Sequence, residues 1–427
     1  MFYEYLTSHM GISPKVASFS AEIEKNLEEV YKNADMIADI NQAKILNAMQ
    51  ECRLSDTHFN DSTGYGYHDE GRQVLEDIFA KIFKAEGALV RPQLISGTHA
   101  LSAALFGNLR PGDTLLSPVG GPYDTLESVI GIRPTSGSLA EYGIKYRQVD
   151  LLPDGSFNYE EIKKALAETP KMVTIQRSKG YSWRPSFLID EIEKLIKCIR
   201  NESPNTIIMV DNCYGEFVQT KEPIEVGADI IAGSLIKNPG GGLAPGGGYV
   251  VGRKEYVEKA AERLTAPGLG SAVGPGLGMT RNLIHGLFIA PQTVSACIKG
   301  ATFTAEVFSK LGYDVLPGST DIRTDIVQAI KLGSPEKVLA FCSGIQKAAP
   351  VDSYVTPEPA PMPGYSHGVV MAGGTFIQGS SIELSADAPM REPYIVYFQG
   401  GLTSAHSRIG VIYAINSLVE KGLVEIK

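Results

Sequence analysis

The stretch that decides the fold is Val210-Asp-Asn-Cys-Tyr-Gly-Glu-Phe217 together with Gly227-Ala-Asp-Ile-Ile-Ala-Gly-Ser-Leu-Ile-Lys-Asn-Pro-Gly240, which runs on through glycine-rich sequence to Gly252. The apolar run Thr206-Ile-Ile-Met-Val210 reads as a short buried strand whose C-terminal end delivers Asp211. A second β-type run, Ala228-Asp-Ile-Ile-Ala232, leads through Gly-Ser-Leu-Ile to Lys237. The glycine-dense loop that follows suits backbone that must approach another group closely.

Upstream, short strand patterns alternate with helical ones. Ala88-Leu-Val90 leads to Leu94-Ile-Ser-Gly-Thr-His-Ala100 and a helix over 100–108, and Asp113–Ser117 is a strand that empties into Pro118-Val-Gly-Gly-Pro-Tyr-Asp124. Lys145–Asp150 and Met172–Gln176 are further strands, with helices over 159–167 and 189–200. The recurrence predicts an α/β fold, a mostly parallel sheet sandwiched by helices. Ligands of such sheets gather beyond the strand ends, where Tyr123 and Asp211 fall. Ser96, Gly97 and Thr98 at a helix start offer free N–H groups, hydroxyls and a positive dipole end, a seat for phosphate.

A lysine, an acid delivered one strand earlier and a flat ligand between them is the arrangement that pyridoxal phosphate chemistry needs. The amine condenses with the cofactor aldehyde, and the carboxylate keeps the pyridine nitrogen protonated. Taken alone, Asp211 also suits a strand-end cap and Lys237 a solvated loop. A nucleotide site fits less well: no GxGxxG opens a βαβ unit, and Gly-Ser-Leu-Ile-Lys lacks the glycine spacing of a P-loop.

The flanks read differently. Ser20–Cys52 is a long amphipathic helix capped by Ser20, with Ile23, Leu27, Val30, Ala34 and Ile37 at helical spacing. Phe59–Arg72, rich in turn formers and carrying Tyr65 and Tyr67, suits a binding loop or a solvated connector before a helix over 73–85. Leu264–Gly278 is too rich in Gly and Pro for regular structure and suits a long functional loop or a subunit contact. From Pro291 the pattern becomes a helix to Leu311, a strand Tyr313–Leu316, a helix over 335–346 and a Pro-rich stretch Val355–Gly364. Runs at Gly374–Gly379, Ser381–Ser385 and Tyr394–Phe398 and a helix from Ser407 complete a smaller C-terminal α+β domain. The expected division is an N-terminal helical segment 1–58, a large ligand-binding domain 59–290 and a small domain 291–427.

Composition sets bounds. With 427 residues and a formal net charge of −9, the overall balance gives no support to a nucleic-acid or anionic-membrane surface. Five scattered cysteines without CxxC or Cys/His spacing argue against a disulfide framework or a zinc site. The first residues lack the basic and apolar regions of a signal peptide, and no run of about 18 apolar residues occurs. A cytoplasmic protein acting on small molecules, with no metal, is expected.

With Ser96-Gly-Thr98, Tyr123, Asp211 and Lys237 in this order, the chain resembles the fold-type I pyridoxal-phosphate enzymes. Within them it is similar to the cystathionine and methionine γ-lyase-like branch that includes the aluminium-resistance carbon–sulfur lyases. The likeness rests on Gly64-Tyr-Gly-Tyr-His-Asp-Glu-Gly-Arg-Gln-Val-Leu-Glu76, Ser96-Gly-Thr-His-Ala100, Val210–Phe217, Gly233-Ser-Leu-Ile-Lys-Asn-Pro-Gly-Gly-Gly242 and Ser381-Ile-Glu-Leu-Ser-Ala-Asp387.

The resemblance implies that Lys237 carries the cofactor as an imine, Asp211 pairs with the ring nitrogen and Tyr123 stacks on the ring. Ser96, Gly97, Thr98 and Ser234 would hold the phosphate. Tyr65, Tyr67 and Arg72 occupy the segment that in the lyases reaches into a neighbouring subunit's site, so a homodimer or homotetramer with shared sites is implied. Tyr65 would face the substrate; Tyr67 and Arg72 would face the cofactor. Arg391 is the choice for clamping the substrate carboxylate, since a guanidinium fits it bidentately, with Arg408 the runner-up. Two departures line the pocket. Tyr67 and Arg72 stand further apart than the lyases' Tyr-x-Arg, and Gln176-Arg-Ser-Lys-Gly-Tyr-Ser-Trp183 stands where the lyases carry an asparagine against the ring oxygen.

The reading is a lyase that eliminates a thiol from a sulfur-containing amino acid, cystathionine- or methionine-like, giving a 2-oxo acid and ammonia. Burial and the cofactor would keep Lys237 neutral enough to act as base. An aminotransferase shares every residue named so far, and a cofactor-binding protein without turnover is the third reading.

Overall fold

The computed structural model describes residues 1–426 apart from Pro363 and Ser366. Seven strands form the large sheet: β1 Gly87–Arg91, β2 Thr114–Ser117, β3 Lys145–Gln148, β4 Met172–Gln176, β5 Ile207–Asp211, β6 Ile230–Ser234 and β7 Gly248–Gly252, in the order β1-β7-β6-β5-β4-β2-β3. From β3 through β2, β4 and β5 to β6 all pairs are parallel, while β7 runs antiparallel to both β6 and β1.

Strand alternation splits the apolar residues between two faces. Ile207 and Met209 face a layer holding Leu101 and Leu105 of the helix Gly97–Asn108 and Val257 and Ala260 of the helix Lys254–Leu264. Ile208 and Val210 face the opposite layer, with Ile78 and Phe79 of the helix Glu70–Ile82 and Ile192 and Ile196 of the helix Ile189–Glu202. Burial on both sides explains why β5 and β6 read as continuous apolar runs.

The expected loop after Lys237 hides β7. Its glycines serve packing: a Cβ on Gly252 would lie 2.2 Å from the Asp229 carbonyl, so the strand closes on its neighbour only without a side chain.

The second sheet is antiparallel throughout: β8 Asp314–Leu316, β9 Gln328–Lys331, β10 Val369–Ala372, β11 Ser385–Pro389 and β12 Ile395–Gln399, in the order β10-β11-β12-β9-β8. The smaller α+β part is therefore present, with strands shifted from those expected. Gly374–Gly379 and Ser381–Ser385 are turns leading into β11, because the Glu383 carboxylate accepts from Phe376 N and Ile377 N at 2.9 and 3.0 Å and folds the segment on itself. The Pro-rich stretch is irregular where described, and its Pro363 lies outside the described residues.

The long N-terminal helix is two, Pro14–Lys25 and Glu28–Glu51, parted at Asn26 and Leu27. Val16, Ala17, Ile23 and Leu27 share the core of the small sheet with Phe341, Ile345 and Ile412. The second helix packs on Thr280–Lys310 and binds the large domain, Asn41 Nδ2 donating to Phe217 O at 2.9 Å. The N-terminal segment thus belongs to both cores. The helix expected to start at Pro291 starts at Thr280 and runs through that proline to Lys310.

Candidate active site

A cavity of about 630 Å³ opens beyond the C-terminal ends of β4, β5 and β6, with residues of the small domain as its far wall. Asp211 ends β5 in the floor, beside Gln176, its partner in register on β4. The carboxylate accepts from Cys213 N at 3.1 Å. The chain then turns through Tyr214 at φ 71°, a left-handed conformation unusual for a bulky residue. That turn places the Tyr214 ring under Lys237, whose Nζ lies 3.8 Å from the ring centroid. Lys237 follows the end of β6 by three residues, and the next residue anchors it: Asn238 Nδ2 donates to Tyr214 O at 3.0 Å and to Glu216 O at 2.9 Å.

The charges in the floor are coupled. Burial raises Asp211, and Lys237 opposes that rise. For Lys237 burial favours the neutral amine, but Cys213, Tyr214, Asp211 and Glu216 together outweigh it and hold the ammonium above its ordinary range. Glu216, with one oxygen unpartnered and the other accepting from Tyr249 at 2.6 Å, is pushed up by burial to about 8.

Opposite the floor stands the start of the helix Gly97–Asn108. Ser96 caps it, Oγ accepting from His99 N at 3.1 Å, and Thr98 Oγ1 pairs with Thr125 Oγ1 at 2.8 Å. A Cβ on Gly97 would lie 3.2 Å from Ser234 Cβ and 3.4 Å from Cys213 Sγ, so a side chain there would have to push the end of β6 back by a few tenths of an ångström. Ser96, Gly97, Thr98, Tyr123, Asp211, Ser234 and Lys237 therefore line one cavity.

The other named residues do not line it. Arg72 donates to Gly66 O and Gly274 O, each at 2.8 Å, and binds the 60–66 segment to the Gly-rich loop of its own chain. Tyr65 and Tyr67 stack on each other at 5.4 Å and are 70% and 60% exposed. Arg391 lies in an adjoining cavity of about 280 Å³ behind Tyr181, its Nη2 donating to Tyr181 O at 3.4 Å. Arg408 pairs with Glu24 of the N-terminal helix. Among the described residues no arginine lines the main cavity.

Sequence reasoning missed the wall. Tyr365 of the small domain meets Tyr123 hydroxyl to hydroxyl at 2.6 Å, and Tyr181 packs edge-on against Tyr123 at 5.6 Å. Asp387 on β11 and Gln399 on β12 complete that side, Gln399 Nε2 donating to Asp387 Oδ2 at 3.0 Å. Asp387 stood in a quoted motif, but nothing in the local pattern distinguished it from a strand-end carboxylate. Of the 176–183 segment, Gln176, Ser178, Gly180 and Tyr181 line the cavity, and Gln176 Oε1 has no partner.

This donor set fits pyridoxal phosphate. One end has a helix N-terminus ringed by Ser96, Thr98 and Ser234, suited to a phosphate. The floor pairs a deep amine with a buried acid, and the unsatisfied Gln176 carbonyl awaits a donor. Among the described residues no group of three or more His, Cys, Asp or Glu could hold a metal ion, and no helix is long and apolar enough to cross a membrane.

The chain is similar to several proteins of known structure. A carbon–sulfur lyase involved in aluminum resistance from Clostridium novyi NT is 49% identical, with TM-score 0.92 over 97% of this chain and 98% of that one. A Clostridium acetobutylicum structure with the provisional name of a cystathionine β-lyase involved in aluminum resistance is 49% identical, with TM-score 0.94 over 97% and 98% of the two chains. The pyridoxal-5'-phosphate-dependent protein YhfS from Escherichia coli shares the fold at TM-score 0.61 and 16% identity, over 90% of this chain and 96% of its own. The architecture is that of the fold-type I enzymes. The model of the family described as methionine gamma-lyase matches residues 16–419, and the chain belongs to that family.

Proposed function

We propose that this protein is a pyridoxal-phosphate-dependent carbon–sulfur lyase that releases a thiol, a 2-oxo acid and ammonia from a sulfur-containing amino acid. The observation that carries the reading is the convergence of Asp211 and Lys237 from neighbouring strands on one floor, opposite a helix start held close by Gly97. Bound there, the cofactor supplies an electron-withdrawing ring that lets an amino acid lose its Cα proton and expel a thiol.

The chain's own residues do the rest. Ser96, Thr98, Ser234 and the free N–H groups of the helix start hold the phosphate. Asp211, in the floor, holds a proton at the ring nitrogen. Lys237, buried in the floor, is the amine placed to take the Cα proton in its neutral form, the form that burial favours. Tyr123 stays protonated, because burial and then Tyr214 raise it far above its ordinary range. Its hydroxyl can therefore donate to a departing sulfur.

The reading also takes the protein as a cytoplasmic homodimer or homotetramer with shared sites. The exposed Tyr65 and Tyr67 pair and the lack of an arginine among the described cavity residues support completion by a second subunit.

The test begins with the absorption spectrum of protein incubated with pyridoxal phosphate, followed by borohydride and peptide mass mapping. The expected result is a visible band and a reduced adduct on Lys237. A panel of sulfur amino acids is then assayed for 2-oxo acid, with a second 2-oxo acid added in parallel. Protein that stays colourless overturns the cofactor reading, and amino transfer without thiol release overturns the lyase reading in favour of an aminotransferase.

A further inference from the structure

The far wall of the cavity carries a row of hydroxyl and carboxyl groups, of which the lyase reading uses only Tyr123. Tyr123 and Tyr365 meet hydroxyl to hydroxyl at 2.6 Å. Tyr181 packs against both, its ring centroid 5.6 Å from that of Tyr123 and 5.7 Å from that of Tyr365, and its hydroxyl shares hydrogen bonds with Tyr365 and Asp387. Gln399 Nε2 donates to Asp387 Oδ2 at 3.0 Å and fixes the end of the row. All of these residues line the one cavity. A hydroxyl accepts and donates by turning its proton, so such a row passes a proton along without moving a heavy atom.

The two ends differ. Burial and then Tyr214 hold Tyr123 far above its ordinary range, so the phenolate left when it gives up its proton is costly in this site. At the other end burial pushes the Asp387 carboxyl up toward its neutral form, against the bonds from Tyr181 and Gln399 and the charge of Lys237. The titratable groups that face Asp387 are Tyr181, Tyr365, Tyr123 and Tyr214, Cys342 of the helix Pro335–Lys347, and Lys237. An acid at one end and an unstable phenolate at the other make the row a source of protons for Tyr123.

We infer that Tyr365, Tyr181 and Asp387 form a proton relay that recharges Tyr123 when it protonates the departing sulfur. The inference rests on the lyase reading for the event that draws the proton and on the wall for its route. As the carbon–sulfur bond breaks, its electron pair goes to sulfur, and the Tyr123 hydroxyl proton joins it to give the thiol. Tyr365 passes its proton to the Tyr123 oxygen, Tyr181 to Tyr365 and Asp387 to Tyr181, so the negative charge comes to rest on the Asp387 carboxylate. Asp387 takes a proton back from water after the thiol has left. Lys237 holds the Cα proton meanwhile, so one proton is taken up at the floor and one is given at the wall. The three relay residues act through Tyr123.

The first test needs neither cofactor nor turnover. Infrared difference spectra of the cofactor-free wild-type protein and Asp387→Asn at neutral pH are expected to show the carbonyl stretch of a protonated carboxyl that the variant lacks, and a missing band overturns the inference. The second test uses the cofactor-loaded enzyme with S-ethyl-L-cysteine, whose thiolate needs a proton, and β-chloro-L-alanine, whose chloride does not, or with their homologues one carbon longer for an enzyme that cleaves at Cγ. Tyr365→Phe is expected to lower kcat for the thioether by at least about a hundredfold, the lower end of what a positioned proton donor contributes, and to leave that for the chloro substrate within about twofold. Asp387→Asn is expected to show the same split. An equal loss on both substrates marks a structural role, and no loss on either means that Lys237 returns the proton itself; each overturns the inference. An enzyme that turns over only the chloro substrate, or neither, refutes the lyase reading, whereas a missing carboxyl band refutes the relay whatever the enzyme turns over.

Discussion

The floor of the cavity and its far wall are built in opposite ways. Asp211 and Lys237 come from adjacent parallel strands, within one stretch of sequence, and the helix start at Ser96 comes from the same sheet. The wall is assembled from antiparallel strands and turns between Tyr365 and Gln399, pressed against Tyr123 and Tyr181 of the large domain. A floor of this kind is fixed by strand ends that share a register. A wall of this kind depends on how two cores dock, so it can vary while the floor stays the same. The candidate lysine and acid thus stand on a fixed footing, while the wall is free to differ.

The largest expected effect comes from breaking the floor. Lys237→Ala should abolish the borohydride-fixed adduct and lower 2-oxo acid release by at least about a thousandfold, the scale of losing a positioned acid–base group. Its fold should be unchanged by circular dichroism, since the loss is chemical.

Next is the joint between the two regions. Lys179 and Asp325 form an ion pair 3.4 Å apart, almost wholly buried, between the loop after β4 and the segment before β9. Asp325 also accepts from Ser178 Oγ at 2.7 Å and Val327 N at 3.1 Å. Asp325→Asn strands the Lys179 charge and should cost about 3 kcal/mol of stability in a denaturant titration. If the wall docks through this joint, catalysis should fall more than cofactor binding does.

A subtler change sharpens the contrast from the floor side. Gly97→Ala would put a methyl group 3.2 Å from Ser234 Cβ and should weaken cofactor binding about tenfold, roughly 1.4 kcal/mol.

A further effect is one of pH. Glu216 is raised from 4.5 to about 8 by burial, against the lowering effect of the Tyr249 hydrogen bond. A folded value above the unfolded one means that its stabilising contribution is complete below 4.5 and is lost as pH rises through 8. Glu216→Gln should therefore leave the melting temperature unchanged at low pH and raise it by a few degrees above pH 8, as followed by calorimetry.

The same contrast explains what could be read from the chain. Asp211, Lys237 and the Ser96–Thr98 seat were legible because a buried parallel strand is a continuous apolar run that ends at its functional residue. β7 was obscured by glycines required for close packing. Arg391 has the residue type of a clamp, yet the β11–β12 turn directs it behind Tyr181. Asp387 closed a quoted motif, but nothing local gave it a role in the site. Its meaning lies in facing Tyr181, and that contact spans two cores.

The helix Thr280–Lys310 joins those cores. Leu283, Leu287 and Val294 near its start belong to the large domain's core, while Phe303, Val307 and Phe308 near its end belong to the small domain's. Neither half can melt without unpacking one end of the same rod. Heat should therefore unfold the chain in one cooperative transition, with van't Hoff and calorimetric enthalpies in agreement, and mechanical pulling on either terminus should load both halves before either yields.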